Sequence, residues 1–327
     1  MKVLIIRFSS IGDIVLSTPL LRALAQHNDE KYEIHYITKE IFASVIENNP
    51  YVDKLYTFKK EITELISQLK KEDYNFIIDL HHNLRSRRLI SLLHKPAKSF
   101  NKLNYEKWLR VHLKIDILPH EHIVERYINT VSFLGFHYDG EGLEYYITEH
   151  DEAVFDRINY SKNQNYVILV VGGAHFTKQI PDDMLVKIAK EAKQKVVLLG
   201  GKNDVDKASS IESQIGGAAF NLVGKLSLNE SAALIKYAQK IVTPDTGLMH
   251  IAAAFKIEIL SLWGNTIPEF GMYALLPNAT QQLNHIFEVK GLSCRPCSKI
   301  GYAKCPKKHF NCMRLQEVDE IIKVLNA

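Results

Sequence analysis

The chain has 327 residues, of which 46% are hydrophobic and 24% charged, and its formal net charge is +4. This length suits about two domains with a large buried core, and the composition excludes a disordered chain, a collagen and a multi-span membrane protein. The charge is uneven: residues 1–150 balance, whereas 85–114 carries nine Lys or Arg against Glu106 alone and 290–314 carries seven against none. Such basic stretches suit phosphate-bearing small molecules, anionic lipid or nucleic acid, or are plain solvated faces.

In chain order, residues 3–7 read as a buried strand. Arg7 and Asp13 interrupt the apolar run and no clean small-residue cleavage site follows, which argues against a signal peptide. A helix is expected over 14–24, with Pro19 its one irregularity. Strands at 32–37, 54–58 and 76–80 alternate with helices at 42–46 and 62–71, the latter with Ile62, Leu65, Ile66 and Leu69 on one face. After a polar stretch near 148–164 the pattern restarts. Strands are expected at 166–171, 195–199, 240–243 and 257–262, with helices at 230–238 and 249–255. A closing amphipathic helix over 315–325 has to pack somewhere, the first domain being one option.

Strands alternating with helices imply parallel βαβ units, and continuous apolar runs mark strands covered on both faces. The fold class is therefore α/β, with two doubly wound parallel-sheet domains, 1–155 and 156–327. In such sheets ligands sit beyond the carboxyl ends of the strands. No stretch of about 18 apolar residues is present to span a bilayer. The four cysteines all lie between 294 and 312, which is no secreted disulfide framework. A cytoplasmic protein is expected. The chain has no P-loop, no G-x-G-x-x-G and no H-E-x-x-H, so hydride transfer and metalloprotease chemistry have no support.

Three constellations carry chemistry. In 243–254 a strand ends at Asp245 and Thr246, and Gly247 frees the backbone for a helix start whose unpaired N–H groups suit a diphosphate. His250 lies one turn in. The competing reading is a helix capped by Asp245 or Thr246. In 172–178 a strand opens into Gly172, Gly173 and Ala174, with Lys178 in reach of a phosphate oxygen or free in solvent. In 9–13 (Ser9, Ser10, Ile11, Gly12, Asp13) the carboxylate of Asp13 follows the first strand. It is placed to act as a general base toward an acceptor hydroxyl, or to cap the helix that follows.

The ordered set resembles glycosyltransferase family 9, the lipopolysaccharide heptosyltransferases. It runs from Arg7–Pro19 through Asp79-Leu80-His81-His82-Asn83-Leu84-Arg85-Ser86, Lys178 before Pro181, Leu198–Gly201, Leu222–Leu228 and Asp245–His250 to Gly264-Asn265-Thr266. The cysteine-bearing tail resembles many members as well. The resemblance implies a GT-B fold with acceptor bound by the first domain and donor by the second. It implies inverting, metal-independent transfer of heptose from ADP-heptose to a lipid A-linked inner-core acceptor. By position Asp13 matches the catalytic base and Lys178 the lysine that neutralises the donor diphosphate. Gly173, Ala174, Leu226, Asp245, Thr246, Gly247 and His250 fall in the donor site, and Ser10, Gly12, Asp13, His81, Arg85 and Arg88 in the acceptor site. No cofactor beyond the nucleotide-sugar co-substrate is implied, no residue is assigned to a metal, and no nucleic-acid partner is expected.

This chain departs from the pattern at Ile180, where an aromatic is common, at Pro244, and at Gly173 and Ala174, where hydroxyls are common. Arg clusters suit an acidic acceptor, and Trp108 with Lys107 and Arg110 suits a peripheral contact with the inner leaflet of the inner membrane. The alternatives are a GT-B transferase using another nucleotide sugar or glycan acceptor, and a sugar-nucleotide epimerase. The spacing C-x2-C-x7-C-x6-C leaves Cys294, Cys297, Cys305 and Cys312 open between zinc, pairing and a structural loop.

Overall fold

A computed structural model describes residues 1–26, 31–217 and 219–327. Two compact units form, one from Met1–Leu103 with Glu121–Tyr146, the other from Asn104–His120 with Ile147–Ala327. The segment Asn104–His120 thus groups with the second unit, although the chain on either side of it, up to Leu103 and from Glu121 to Tyr146, belongs to the first.

The first unit holds five parallel strands: β1 (Lys2–Ile6), β2 (Glu33–Lys39), β3 (Lys54–Phe58), β4 (Phe76–Asp79) and β5 (Ala97–Ser99), in the order β3-β2-β1-β4-β5. Val3–Ile6 are fully buried, as expected of an apolar run covered on both faces. Strand order reverses between β1 and β4, where Ile6 pairs with Ile37 on one side and Asp79 on the other. The connections leaving β1 and β4 diverge there and open a crevice at the carboxyl end of the sheet.

The helix expected over 14–24 is two helices, Ile11–Val15 and Thr18–Ala25. Pro19 stands in the first turn of the second, where its missing N–H costs nothing. The Thr18 hydroxyl donates to the Val15 carbonyl instead, at 2.8 Å. The helices expected at 42–46 and 62–71 open as 3₁₀ turns, Glu40–Val45 and Ile62–Leu65, the second continuing as Ile66–Lys71.

The second unit holds six parallel strands: β6 (Tyr166–Val170), β7 (Lys195–Leu199), β8 (Ala219–Asn221), β9 (Lys240–Pro244), β10 (Glu258–Trp263) and β11 (Asn284–Glu288). Their order is β11-β10-β9-β6-β7-β8. The reversal falls between β6 and β9, and the core of Val167, Leu169, Leu198, Val242 and Leu260 lies beneath it. The closing helix, Val318–Asn326, buries Ile321, Ile322 and Leu325 in this same core. Its apolar stripe is therefore satisfied inside the second unit. Asn326 fastens its end, donating to the Glu191 carbonyl and accepting from the Lys193 amide, each at 2.9 Å. Among the described residues no helix is long and apolar enough to cross a membrane.

Candidate active site

Each unit gathers polar side chains at its own strand-order reversal. In the first, β1 delivers Arg7 and the turn to Asp13. Arg7 is 7% exposed, and a buried guanidinium has to be paired. Its Nε donates to the Ser9 carbonyl at 2.7 Å, its Nη1 to the Leu80 carbonyl after β4, and its Nη2 meets Asp13 Oδ1 at 2.6 Å. The other carboxylate oxygen, Oδ2, accepts from the Ser10 amide at 3.1 Å and the Ser10 hydroxyl at 2.7 Å. The capping alternative for Asp13 is thus half realised. Oδ2 closes a turn at the third residue of the helix, while Oδ1 belongs to Arg7.

Burial pushes the Asp13 carboxyl up, but the Arg7 charge and the Ser10 hydrogen bonds outweigh it and hold the group below the usual carboxylate range. Asp13 is therefore ionised at neutral pH. Three donors occupy its oxygens, and a carboxylate offers about four lone-pair positions, so one acceptor position stays open for a substrate hydroxyl.

His81 follows the carbonyl that anchors Arg7. Its ring packs on Phe8, centroids 4.7 Å apart. Burial, then the Arg7 charge, pushes the imidazole down to about 3, so it is neutral. Its Nδ1 has no hydrogen-bond partner among the described residues. The turn that presents it is built by buried Asp79, whose Oδ1 accepts from the His81 and His82 amides at 2.9 and 2.7 Å and whose Oδ2 accepts from Ser86 Oγ at 2.8 Å. Gly12 is buried in the helix bearing Asp13. Arg85 and Arg88 stand exposed on the next helix, Leu84–Leu93.

In the second unit the connections leaving β6 and β9 meet. Lys178 Nζ pairs with Asp245 Oδ2 at 2.5 Å, and Thr266 Oγ1, beyond β10, donates to the same oxygen at 3.1 Å. Helix Gly247–Ala254 begins beside this pair. Thr246 occupies its N-cap position but its side chain makes no capping hydrogen bond. The Thr246 hydroxyl instead pairs with Thr243 Oγ1 at 3.1 Å, and Asp245 is held by Lys178 and Thr266. The capping alternative for this motif therefore does not form, and the positive end of the helix dipole keeps its first N–H groups for a ligand. Gly173 lies against Thr246, where a Cβ would stand 3.8 Å from Thr246 Cγ2. Ala174 is exposed in the same loop and Leu226 half-buried in the turn after β8. His250 is 2% exposed, so its ring is packed within the unit rather than displayed.

Sequence reasoning assigned no site role to Arg7, Thr266 or Arg295. A lone arginine ending a fully apolar strand was the readable signal for the first. The others depend on contacts across the sheet. Arg295 Nε donates to the Gly264 carbonyl at 2.7 Å and Nη2 to the Thr266 carbonyl at 2.9 Å. Gly264 is required by close approach: a Cβ there would stand 2.6 Å from the carbonyl oxygen of Thr177, the residue before Lys178. Gly264→Ala should displace the Lys178 loop. The expected cost is about 1–3 kcal/mol of overpacking, read as a melting temperature lower by several degrees together with weaker binding of a diphosphate ligand. Unchanged binding of such a ligand would separate this glycine from the site.

Residues 62–301 match glycosyltransferase family 9 (heptosyltransferase). Lipopolysaccharide heptosyltransferase 1 of Campylobacter coli is 25% identical over 290 residues, covering 81% of this chain and 84% of that protein. Among solved structures, the E. coli ADP-heptose lps heptosyltransferase II superposes with a TM-score of 0.72 at 19% identity, covering 99% and 98% of the two chains. A family 9 glycosyl transferase from Veillonella parvula superposes with a TM-score of 0.71 at 22% identity, covering 84% and 83%. The fold shared with these structures is the GT-B architecture.

Proposed function

The chain belongs to glycosyltransferase family 9, and on that premise we propose that it moves a heptose from ADP-heptose to a lipopolysaccharide inner-core acceptor, inverting the anomeric centre. The names of its relatives support the donor and acceptor class. The observation that carries the reading is the Lys178–Asp245 pair beside an uncapped helix start. An ammonium has three donors, so Lys178 can keep Asp245 and still donate to diphosphate oxygens. Asp245 is neutralised in turn, and so does not repel the diphosphate. Negative charge growing on departing ADP meets a fixed cation and helix N–H groups, the kind of preorganised stabilisation that exceeds other single contributions in most enzymes.

Asp13 is the proposed base. It starts ionised and takes the acceptor proton as the new C–O bond forms and the hydroxyl becomes acidic. One base suffices for inversion, whereas retention by double displacement uses a second carboxylate as nucleophile. Neutral His81 can exchange a hydrogen bond with an acceptor hydroxyl without adding positive charge beside Asp13. Arg85 and Arg88 are proposed to meet acidic groups of the glycolipid. Trp108, 50% exposed, with Lys107 and Arg110 on helix Asn104–His112, is proposed to touch anionic lipid of the inner leaflet.

A thermal-shift panel of ADP-, GDP- and UDP-sugars tests the donor. Selective stabilisation by ADP-sugars is expected, since a ligand bound only by the native state raises stability by mass action. Selective stabilisation by UDP-sugars would remove the heptose donor from the reading.

A further inference from the structure

We propose that Cys294, Cys297, Cys305 and Cys312 bind one thiophilic divalent cation, zinc or iron, in a tetrathiolate centre that fixes the loop bracing the donor cluster. All four thiols are free and line one cavity of about 20 Å³. That volume admits a single ion or water-sized occupant and no organic ligand. Four sulfur ligands suit a tetrahedral zinc or iron site.

A second observation points to an occupant. Asn265 lines the same cavity, is 1% exposed, and neither its Oδ1 nor its Nδ2 has a hydrogen-bond partner among the described residues. Buried amides are rarely left so. A metal-bound thiolate would accept from Nδ2, the outer partner that such ligands ordinarily have. Charge agrees as well. Four thiolates around a divalent ion leave two negative charges, and 290–314 contains seven Lys or Arg and no acid; Lys307 lines the cavity, while Arg295 there is already paired with Glu288 at 2.7 Å. The second basic patch thereby gains a partner inside its own loop.

Zn–S bonds of about 2.3 Å place tetrahedral sulfurs about 3.8 Å apart. The thiols surround the cavity more loosely than this. The one group of potential ligands within 4.8 Å of one another among the described residues is Glu33, His35 and Glu72. There, Lys2 and Lys54 already bond Glu72, so that group is an ion-pair network. Closing the site requires the three loop thiols and Cys312, on the short helix Asn311–Arg314, to turn inward, with the thiol protons released to solvent.

The loop reaches the donor cluster by hydrogen bonds. The Tyr302 amide donates to Thr177 Oγ1 at 2.8 Å and the Thr177 amide to the Tyr302 carbonyl at 3.2 Å, while Arg295 holds Gly264 and Thr266. Thr177 precedes Lys178, and Thr266 bonds Asp245. The effect on donor binding rests on the donor reading above; the metal centre does not.

The test is elemental analysis of the full-length protein purified without added metal or metal-affinity resin. About one zinc or iron per chain is expected, with the four thiols unreactive until a chelator is added. Cys297→Ser and Cys305→Ser should lose the metal, and His309→Ala, whose ring lies 3.9 Å from the Cys294 sulfur, should keep it. Loss from His309→Ala would overturn the four-thiolate assignment. Metal-free wild-type protein with four freely reactive thiols, or an intact mass reduced by disulfide formation, would overturn the centre itself and needs no variant to fold. A raised donor KM after chelation supports the bracing role, and metal loss with unchanged donor KM overturns that role.

Discussion

Asp13→Asn is expected to lower kcat by about 10²–10⁴-fold, the usual worth of a positioned general base, with nucleotide-sugar affinity unchanged. Asparagine keeps the shape and can still accept from Arg7 or Ser10, but it cannot take the acceptor proton. Because the donor cluster belongs to the second unit, unchanged donor affinity shows that unit intact, and an unchanged melting temperature shows that the first unit, which carries Asp13, has not collapsed. Turnover within tenfold of wild type would remove Asp13 as the base.

Arg7 supplies a second and opposite handle on the same group. Burial alone raises the Asp13 carboxyl, and Arg7 with Ser10 brings it down. Arg7→Met should let burial win, so that Asp13 protonates at higher pH. The acid limb of kcat/KM, below the ordinary carboxylate value of about 3.9 in the wild type, should then move upward. The stability sign is fixed by the same shift. A depressed native value contributes stability above the ordinary carboxylate pKa, and that contribution is lost as pH falls through the native value. Arg7→Met removes it and leaves a buried charge unpaired, a change that typically costs about 3–5 kcal/mol. The variant should therefore be less stable at neutral pH than at its new acid limb relative to wild type.

Much of this was legible in the sequence because the strands are apolar on both faces. Val3–Ile6 and Tyr166–Val170 announce themselves as runs, and the polar turns that follow mark the carboxyl edge. What failed to show were features decided by distance along the chain. The Arg7–Asp13 pair needs β4 beside β1, because the Leu80 carbonyl fixes the guanidinium. The break at Ser17 follows from Pro19, which sits in the first turn of a new helix and is no mere irregularity within one. Helix Leu84–Leu93 carries charges on most of its exposed face, which masks its apolar period, although Asn83, whose side chain accepts from the Ser86 amide, is a readable start signal. The grouping of Asn104–His120 with the second unit had no local signal: Lys114 reaches the Pro296 carbonyl 182 residues away.

Lys178→Met is expected to cost about 10²–10³-fold in kcat/KM for the donor, the order found when one transition-state donor is removed. Two effects combine in that figure. The cation that meets the departing diphosphate is gone, and Asp245 is left as an anion beside it, since Thr266 alone cannot neutralise it. Asp245→Asn alone keeps the cation and loses its anchor, so donor KM should rise with a smaller loss in kcat. The two substitutions touch one pair and should not add. The double variant Lys178→Met with Asp245→Asn lacks the repulsion that the first single variant creates, so it should recover part of the lost kcat/KM and bind ADP more tightly than Lys178→Met does. A double variant as poor as the sum of the two losses would mean that Asp245 contacts the donor directly, and the neutralising role assigned to Lys178 toward Asp245 would fall.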